Sequence, residues 1–188
     1  NGLIPATELF CYELANIIDI ATPNYRIIEM LDNTLAFGSE WEGGVKSLEQ
    51  VLDKDGKVDV PNFTDFASKL YALDLFVNNI DRHFANYLFR DSYDGKLISL
   101  AFDFSKAWYA NNDKNPFAFD CLEQDSNTYI CKCSLKEDGN LNSVIVEDLI
   151  RVFLKLTPFE LKFLIPYLLN IVYKVTNPHS LIVLLLNL

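Results

Sequence analysis

The stretch from residue 62 to residue 104 constrains the fold most. Residues 62–80 carry Phe63, Phe66, Leu70, Leu73, Val77 and Ile80 at three-and-four spacing. That is the stripe of a helix burying one face. Asn62 is the expected cap, with Asp65 at the third helical position making a box-like start. Residues 81–86 are too polar to continue the helix. Residues 87–89 and 97–104 then read as two strands, joined by residues 91–96, whose Asp94-Gly95 pair suits a hairpin turn. A polar loop therefore sits between a buried helix and a hairpin.

Upstream, residues 5–18 read as a helix, with Pro5 in its first turn and Leu9, Phe10, Leu14, Ile17 and Ile18 on one face. Residues 25–31 are apolar on both sides and read as a buried strand, followed by a turn at Asp32-Asn33. Residues 37–44 (FGSEWEGG) read as a glycine-punctuated loop, residues 46–52 as a short helix, and Asp55-Gly56 as a turn. Residues 109–142 look irregular and polar, with turns at 111–113 and 138–140. The rest reads as helical: Thr157-Pro158-Phe159-Glu160 spells a capping box, Asn177-Pro178 starts another helix, and Pro166 kinks or ends the one it sits in.

The chain has 188 residues, half of them hydrophobic and 13% aromatic, which suits one domain with a real core. Its net charge of −10 and lack of a basic run argue against direct nucleic-acid binding. Cys11, Cys121, Cys131 and Cys133 read as ordinary free thiols in a reducing compartment. Residues 181–186 are greasy but too short to span a bilayer, and the first residues do not read as a signal peptide. The expectation is a cytoplasmic protein without a membrane partner.

The chemistry-bearing residues cluster in NNIDRHFAN, residues 78–86. Asp81 and Asn86 are five positions apart, the spacing protein kinases use between a catalytic-loop Asp and a magnesium-holding Asn. Phosphoryl transfer needs a carboxylate near the acceptor hydroxyl and an oxygen ligand for a hard cation nearby, and a short loop aims both at one cleft. Asp103 lies further along in LAFDFS, where alternation puts Leu97, Ser99, Ala101 and Asp103 on one face and Ile98, Leu100, Phe102 and Phe104 on the other. A carboxylate at the end of a greasy strand needs a positive partner, and magnesium supplies one. Asp74 lies two helical turns before Asp81, beside the buried stripe. It reads as a brace for the loop, with the loop amides, Arg82 and His83 as its candidate partners.

The run LDLFVNNIDRHFANYLF…LAFDFSKAW resembles the core of HipA-like kinases, whose signature is an Asn-x-Asp-Arg-His-x-x-Asn loop followed by an Asp-bearing strand. FGSEWEGG and the opening TELFCYELANIIDIATPNYRIIEM are also similar to small HipA-like proteins, so the resemblance covers roughly residues 5–108. It implies an α+β, protein-kinase-like fold within a single domain spanning residues 1–188. Residues 1–44 would be a remnant of an incomplete N-lobe with its helix and hinge strand, and residues 45–188 a helical C-lobe. It also implies ATP- and Mg2+-dependent transfer to a protein Ser or Thr hydroxyl, with a toxin–antitoxin role among the family's settings. Asp81 would then be the catalytic base or hydroxyl-orienting group. His83 would act beside it, orienting the loop by hydrogen bonds rather than by acid–base work. Asn86 and Asp103 would hold magnesium, with Asp74 and Arg82 behind them. Glu8 would be the helix Glu that pairs with an ATP-binding lysine, and residues 29–31, with Glu29 and Met30, the hinge touching adenine.

Three features depart from that pattern. The triplet at the second Asp is Asp103-Phe104-Ser105 rather than DFG, the glycines at 38, 43 and 44 do not spell a phosphate loop, and the first lysine is Lys46. The expectation is that a preceding segment carries the missing pieces, that a partner such as a separately encoded N-lobe protein supplies them, or that the chain phosphorylates nothing and is a kinase-like module that binds that small lobe or an antitoxin. Two other readings stay open. In one, Asp81 and Asn86 merely shape a turn; in the other, the carboxylates serve a magnesium-dependent phosphohydrolase.

Overall fold

The computed structural model describes residues 4–40, 43–107, 124–153 and 155. The chain is a mixed α+β fold of four helices and two small antiparallel sheets among these residues. The order is α1 (Ile4–Ile17), β1 (Tyr25–Glu29), β2 (Leu35–Ser39), β3 (Lys46–Ser47), α2 (Phe63–Phe76), β4 (Tyr87–Asp91), β5 (Leu97–Ala101), α3 (Asn127–Glu137) and α4 (Ser143–Phe153). One 3-10 turn, at Leu48–Val51, continues directly from β3, and another, at Phe84–Asn86, leads into β4. Among the described residues no helix is long and apolar enough to cross a membrane.

α2 is the central element. Phe63, Phe66, Leu70 and Leu73 are buried along it, in a core that includes Tyr12 and Leu14 of α1, Tyr87 and Phe89 of β4, and Cys131 and Leu135 of α3. Phe76 stacks on Phe153 of α4 with ring centroids 4.4 Å apart. The helix stops four residues before its apolar stripe does. Asn78 takes a left-handed backbone (φ 48°), which turns the Asn79 N–H back onto Asp74 O at 2.8 Å and the Asn78 N–H onto Leu75 O. This closing motif satisfies the last carbonyls, so Val77 is buried as a cap rather than as a helical residue. At the other end Asn62 is also left-handed and makes no side-chain cap bond. The expected box fails because a capping side chain needs an extended backbone, and Asp65 pairs with Lys69 instead, at 3.1 Å.

The hairpin of residues 87–101 forms with Tyr87 opposite Ala101 and Asp91 opposite Leu97, and Gly95 supplies a left-handed turn residue (φ 79°). β3 adds a third strand, with Lys46 opposite Phe89.

Four expectations need correction. β1 is not buried on both sides, because a two-stranded ribbon is covered on one face only; Ile28 is 46% exposed. Residues 37–39 are strand rather than loop, since Phe37 pairs with Ile27 across β1–β2. Residues 46–52 are a short strand and a 3-10 turn rather than a helix. The polar stretch 109–142 contains α3 and leads directly into α4. Ser126 caps α3 by accepting the Tyr129 N–H at 3.2 Å, and Thr128, Cys131 and Leu135 supply its buried face. The helix starts expected at 157 and 177, Pro166, Cys121 and residues 181–186 lie outside the described residues.

Candidate active site

The hairpin register explains how residues far apart in sequence meet. Tyr87 opposite Ala101 places the loop just before β4 beside the chain just after β5. Asn86 and Asp103 thus flank one end of the hairpin, and α2 delivers Asp74 to the same place.

Arg82 ties these three segments together. Its side chain is 1% exposed and faces Asp74, which is wholly buried. Nε donates to Asp74 Oδ2 at 2.9 Å and Nη2 to Oδ1 at 3.0 Å, a two-pronged pairing. Nη1 donates to Phe102 O at 2.5 Å and reaches Asn86 O at 3.5 Å. The guanidinium also lies over the Phe104 ring, 4.6 Å from its centroid. Burial works against its charge, but Asp74 outweighs that and raises its proton affinity. Asn79 Nδ2 adds a third donor to Asp74, at 2.8 Å. Asp74 therefore binds Arg82 and Asn79, while His83 contributes main chain to the loop: its carbonyl accepts the Asn86 N–H at 2.9 Å.

Asp81 is half-buried. Its N–H donates to Asn79 Oδ1 at 3.3 Å and its carbonyl accepts from Asn86 Nδ2, also at 3.3 Å. Asn86 is buried, and its Nδ2 is engaged by the Asp81 carbonyl.

Asp103 departs from the expected alternation. β5 ends at Ala101, and Asp103 has a left-handed backbone (φ 59°), a conformation that Asp and Asn adopt more readily than other non-glycine residues. Its Oδ1 accepts from the Ser105 N–H at 3.1 Å and the Ser105 hydroxyl at 2.6 Å. Ser105 thus fixes the aspartate two positions before it.

Glu8 arrives from α1. Its two oxygens accept the Phe104 N–H at 3.2 and 3.1 Å. Burial pushes its carboxyl up to about 7; the Phe104 N–H opposes this, and the neighbouring charge of Asp103 adds to it. Lys46, the first lysine in the chain, is elsewhere, bonded to Asp91 at 3.0 Å. Glu8 therefore meets the backbone after Asp103 rather than a described lysine.

Glu29 and Met30 lie apart from this cluster. Residues 29–31 are the end of the β1–β2 hairpin and not a connection between lobes. Met30 N–H donates to Thr34 O at 2.8 Å and Met30 O accepts the Asn33 N–H at 2.9 Å, so both groups expected to touch adenine are engaged in the turn.

Sequence reasoning missed Asn127 and Thr128. Thr128 is buried; its hydroxyl accepts the Arg82 N–H at 2.9 Å and donates to Asn79 O at 2.6 Å. Asn127 Nδ2 donates to Asp81 Oδ1 at 2.5 Å. The Ser126 cap and the Thr128, Cys131, Leu135 spacing were the available signal for the helix, but nothing local ties it to a loop 46 residues away.

Asn86 and Asp103 carry oxygen donors of the hard kind that magnesium takes. Among the described residues no three His, Cys, Asp or Glu side chains converge on a metal site. Magnesium bound to nucleotide needs only one or two protein ligands, since phosphates and water fill the rest. No protein-family profile matches the chain, and no curated protein matches it either.

Proposed function

We propose that this chain carries the catalytic half of a HipA-like kinase, transferring the γ-phosphoryl of ATP to a Ser or Thr hydroxyl of a protein. The observation that supports this most is the buried Arg82. It holds Asp74, the loop bearing Asp81 and Asn86, and the turn bearing Asp103 as one constellation. In the reaction the acceptor oxygen attacks the γ-phosphorus, a new P–O bond forms, the bond to the β,γ-bridging oxygen breaks, and ADP leaves. Asp81 orients the hydroxyl and takes its proton. Asn86 and Asp103 would hold magnesium, which supplies neutralisation of phosphate charge. Glu8, by accepting the Phe104 N–H, sets the turn that presents Asp103.

Thermal stabilisation tests this reading. Mg2+–ATP is expected to raise the Tm of the wild-type chain, and Asp103→Ala to show no rise above its own ligand-free Tm, which is lower because the Ser105 bonds are lost. An equal rise in both proteins refutes Asp103 as a ligand.

One observation favours a second reading, a kinase-like module completed by a protein partner such as a separately encoded small lobe or an antitoxin. Among the described residues Glu8 meets main chain and no lysine, and Lys46 pairs with Asp91. Under this reading the chain alone binds nucleotide weakly, and a stoichiometric partner co-purifies with it and restores the Mg2+–ATP shift.

A further inference from the structure

We infer that Asn127, at the start of α3, is a positioning residue that fixes the rotamer of the Asp81 carboxylate; this rests on the phosphoryl-transfer reading of the site. Two residues attach the start of α3 to the loop, and they do different things. Thr128 is buried and bonds to main chain, to the Arg82 N–H and Asn79 O, so it fixes where the loop runs. Asn127 is exposed and bonds to a side chain, Asp81 Oδ1, at 2.5 Å. Asp81's main chain is already held, through its N–H by Asn79 and its carbonyl by Asn86. What remains undetermined by the loop is the carboxylate's own orientation. Asn127 Nδ2 takes Oδ1, and among the described residues no donor reaches Oδ2. Oδ2 is therefore the oxygen available to an acceptor hydroxyl.

The arrangement is chemically one-sided. An amide donates here and an ionised acid cannot: a carboxylate at position 127 would face Asp81 across a hydrogen-bond distance. For the helix the preference runs the other way. Position 127 is the first residue of α3, directly after the Ser126 cap, where a negative charge is favoured by the helix dipole. Asn127→Asp therefore separates the two roles. A residue that only starts a helix tolerates it or gains from it; a residue that orients Asp81 does not.

The experiment measures phosphate transfer from Mg2+–ATP to an acceptor protein by wild type, Asn127→Ala and Asn127→Asp, with Tm and ATP KM for each. The expected result is a loss in kcat of about 10- to 100-fold in Asn127→Ala, the scale of a misplaced reacting group. A larger loss is expected in Asn127→Asp, where two carboxylates would face each other, with ATP KM within about twofold of wild type in both and Tm unchanged in Asn127→Ala, whose side chain is exposed. An active wild type with both variants at wild-type kcat overturns this inference alone. So does a kcat loss matched by a fall in Tm in Asn127→Ala, since that describes a structural residue. A wild type that binds Mg2+–ATP and transfers nothing to any acceptor or to itself overturns the kinase reading and this inference with it.

Discussion

Asp74→Asn isolates the energetics of the buried pair at the centre of the site. The carboxylate has two acceptor oxygens and three donors aimed at them: Arg82 Nε on Oδ2, and Arg82 Nη2 with Asn79 Nδ2 on Oδ1. Asparagine keeps the shape but offers one oxygen, and its amide hydrogens would face at least one of those donors. The substitution also leaves a guanidinium that is 1% exposed with no counter-charge. Breaking a buried pair from one side costs about 3–5 kcal/mol, a large share of the roughly 5–15 kcal/mol that holds a typical domain together. Urea unfolding followed by far-UV circular dichroism reads this as a fall in midpoint at constant slope. The double variant Asp74→Leu with Arg82→Met removes both charges. It orphans the Phe102 and Asn86 carbonyls, so it carries a cost of its own, yet it should lose about 2 kcal/mol less than the sum of the two single variants. A loss below about 1 kcal/mol in Asp74→Asn, or strict additivity in the double variant, refutes the argument that the pair is mutually dependent.

Other consequences are smaller. Between pH 4.5 and about 7 the folded chain keeps a proton on Glu8 that the unfolded chain has released. Without magnesium, this retained proton makes stability fall as pH rises through that window, by about 3 kcal/mol in all, and level off above it. Glu8→Gln should remove that slope, as judged by urea midpoints at pH 5 and pH 8; an unchanged slope counts against the shift. Thr128→Val leaves the Arg82 N–H and Asn79 O without their bonds and should lower stability by about 1–3 kcal/mol, with faster hydrogen exchange in the loop as the second readout. Gly139, left-handed at φ 74°, ends α3 by turning the Asn140 N–H onto Leu135 O at 2.7 Å. Gly139→Ala should cost about 1–2 kcal/mol, and a neutral result contradicts that closure.

Much of the site could be read from residue order because its logic is local. The three-four stripe of α2, the polar break at Asp81 and the Asp94-Gly95 turn together imply a helix, a loop and a hairpin, and the hairpin brings positions 86 and 103 together. Asp74 beside the stripe is legible for the same reason. What could not be read depends on backbone choices with several sequence solutions. Left-handed Asn62, Asn78 and Asp103 ended or began elements where a periodic pattern ran on. The hairpin after residue 29 was not legible because an apolar run does not say whether its strand is linked onward or folded back on the next. Asn127 and Thr128 were invisible because their contacts are tertiary and their neighbourhood is polar.

The most direct test of the account is transfer of radiolabelled γ-phosphate from Mg2+–ATP, to the chain itself or to an added acceptor, by the wild type and by Asp81→Asn side by side. The account predicts label incorporation by the wild type and a loss of at least about 100-fold in Asp81→Asn, the scale of general-base contributions. Equal incorporation by the two proteins contradicts it.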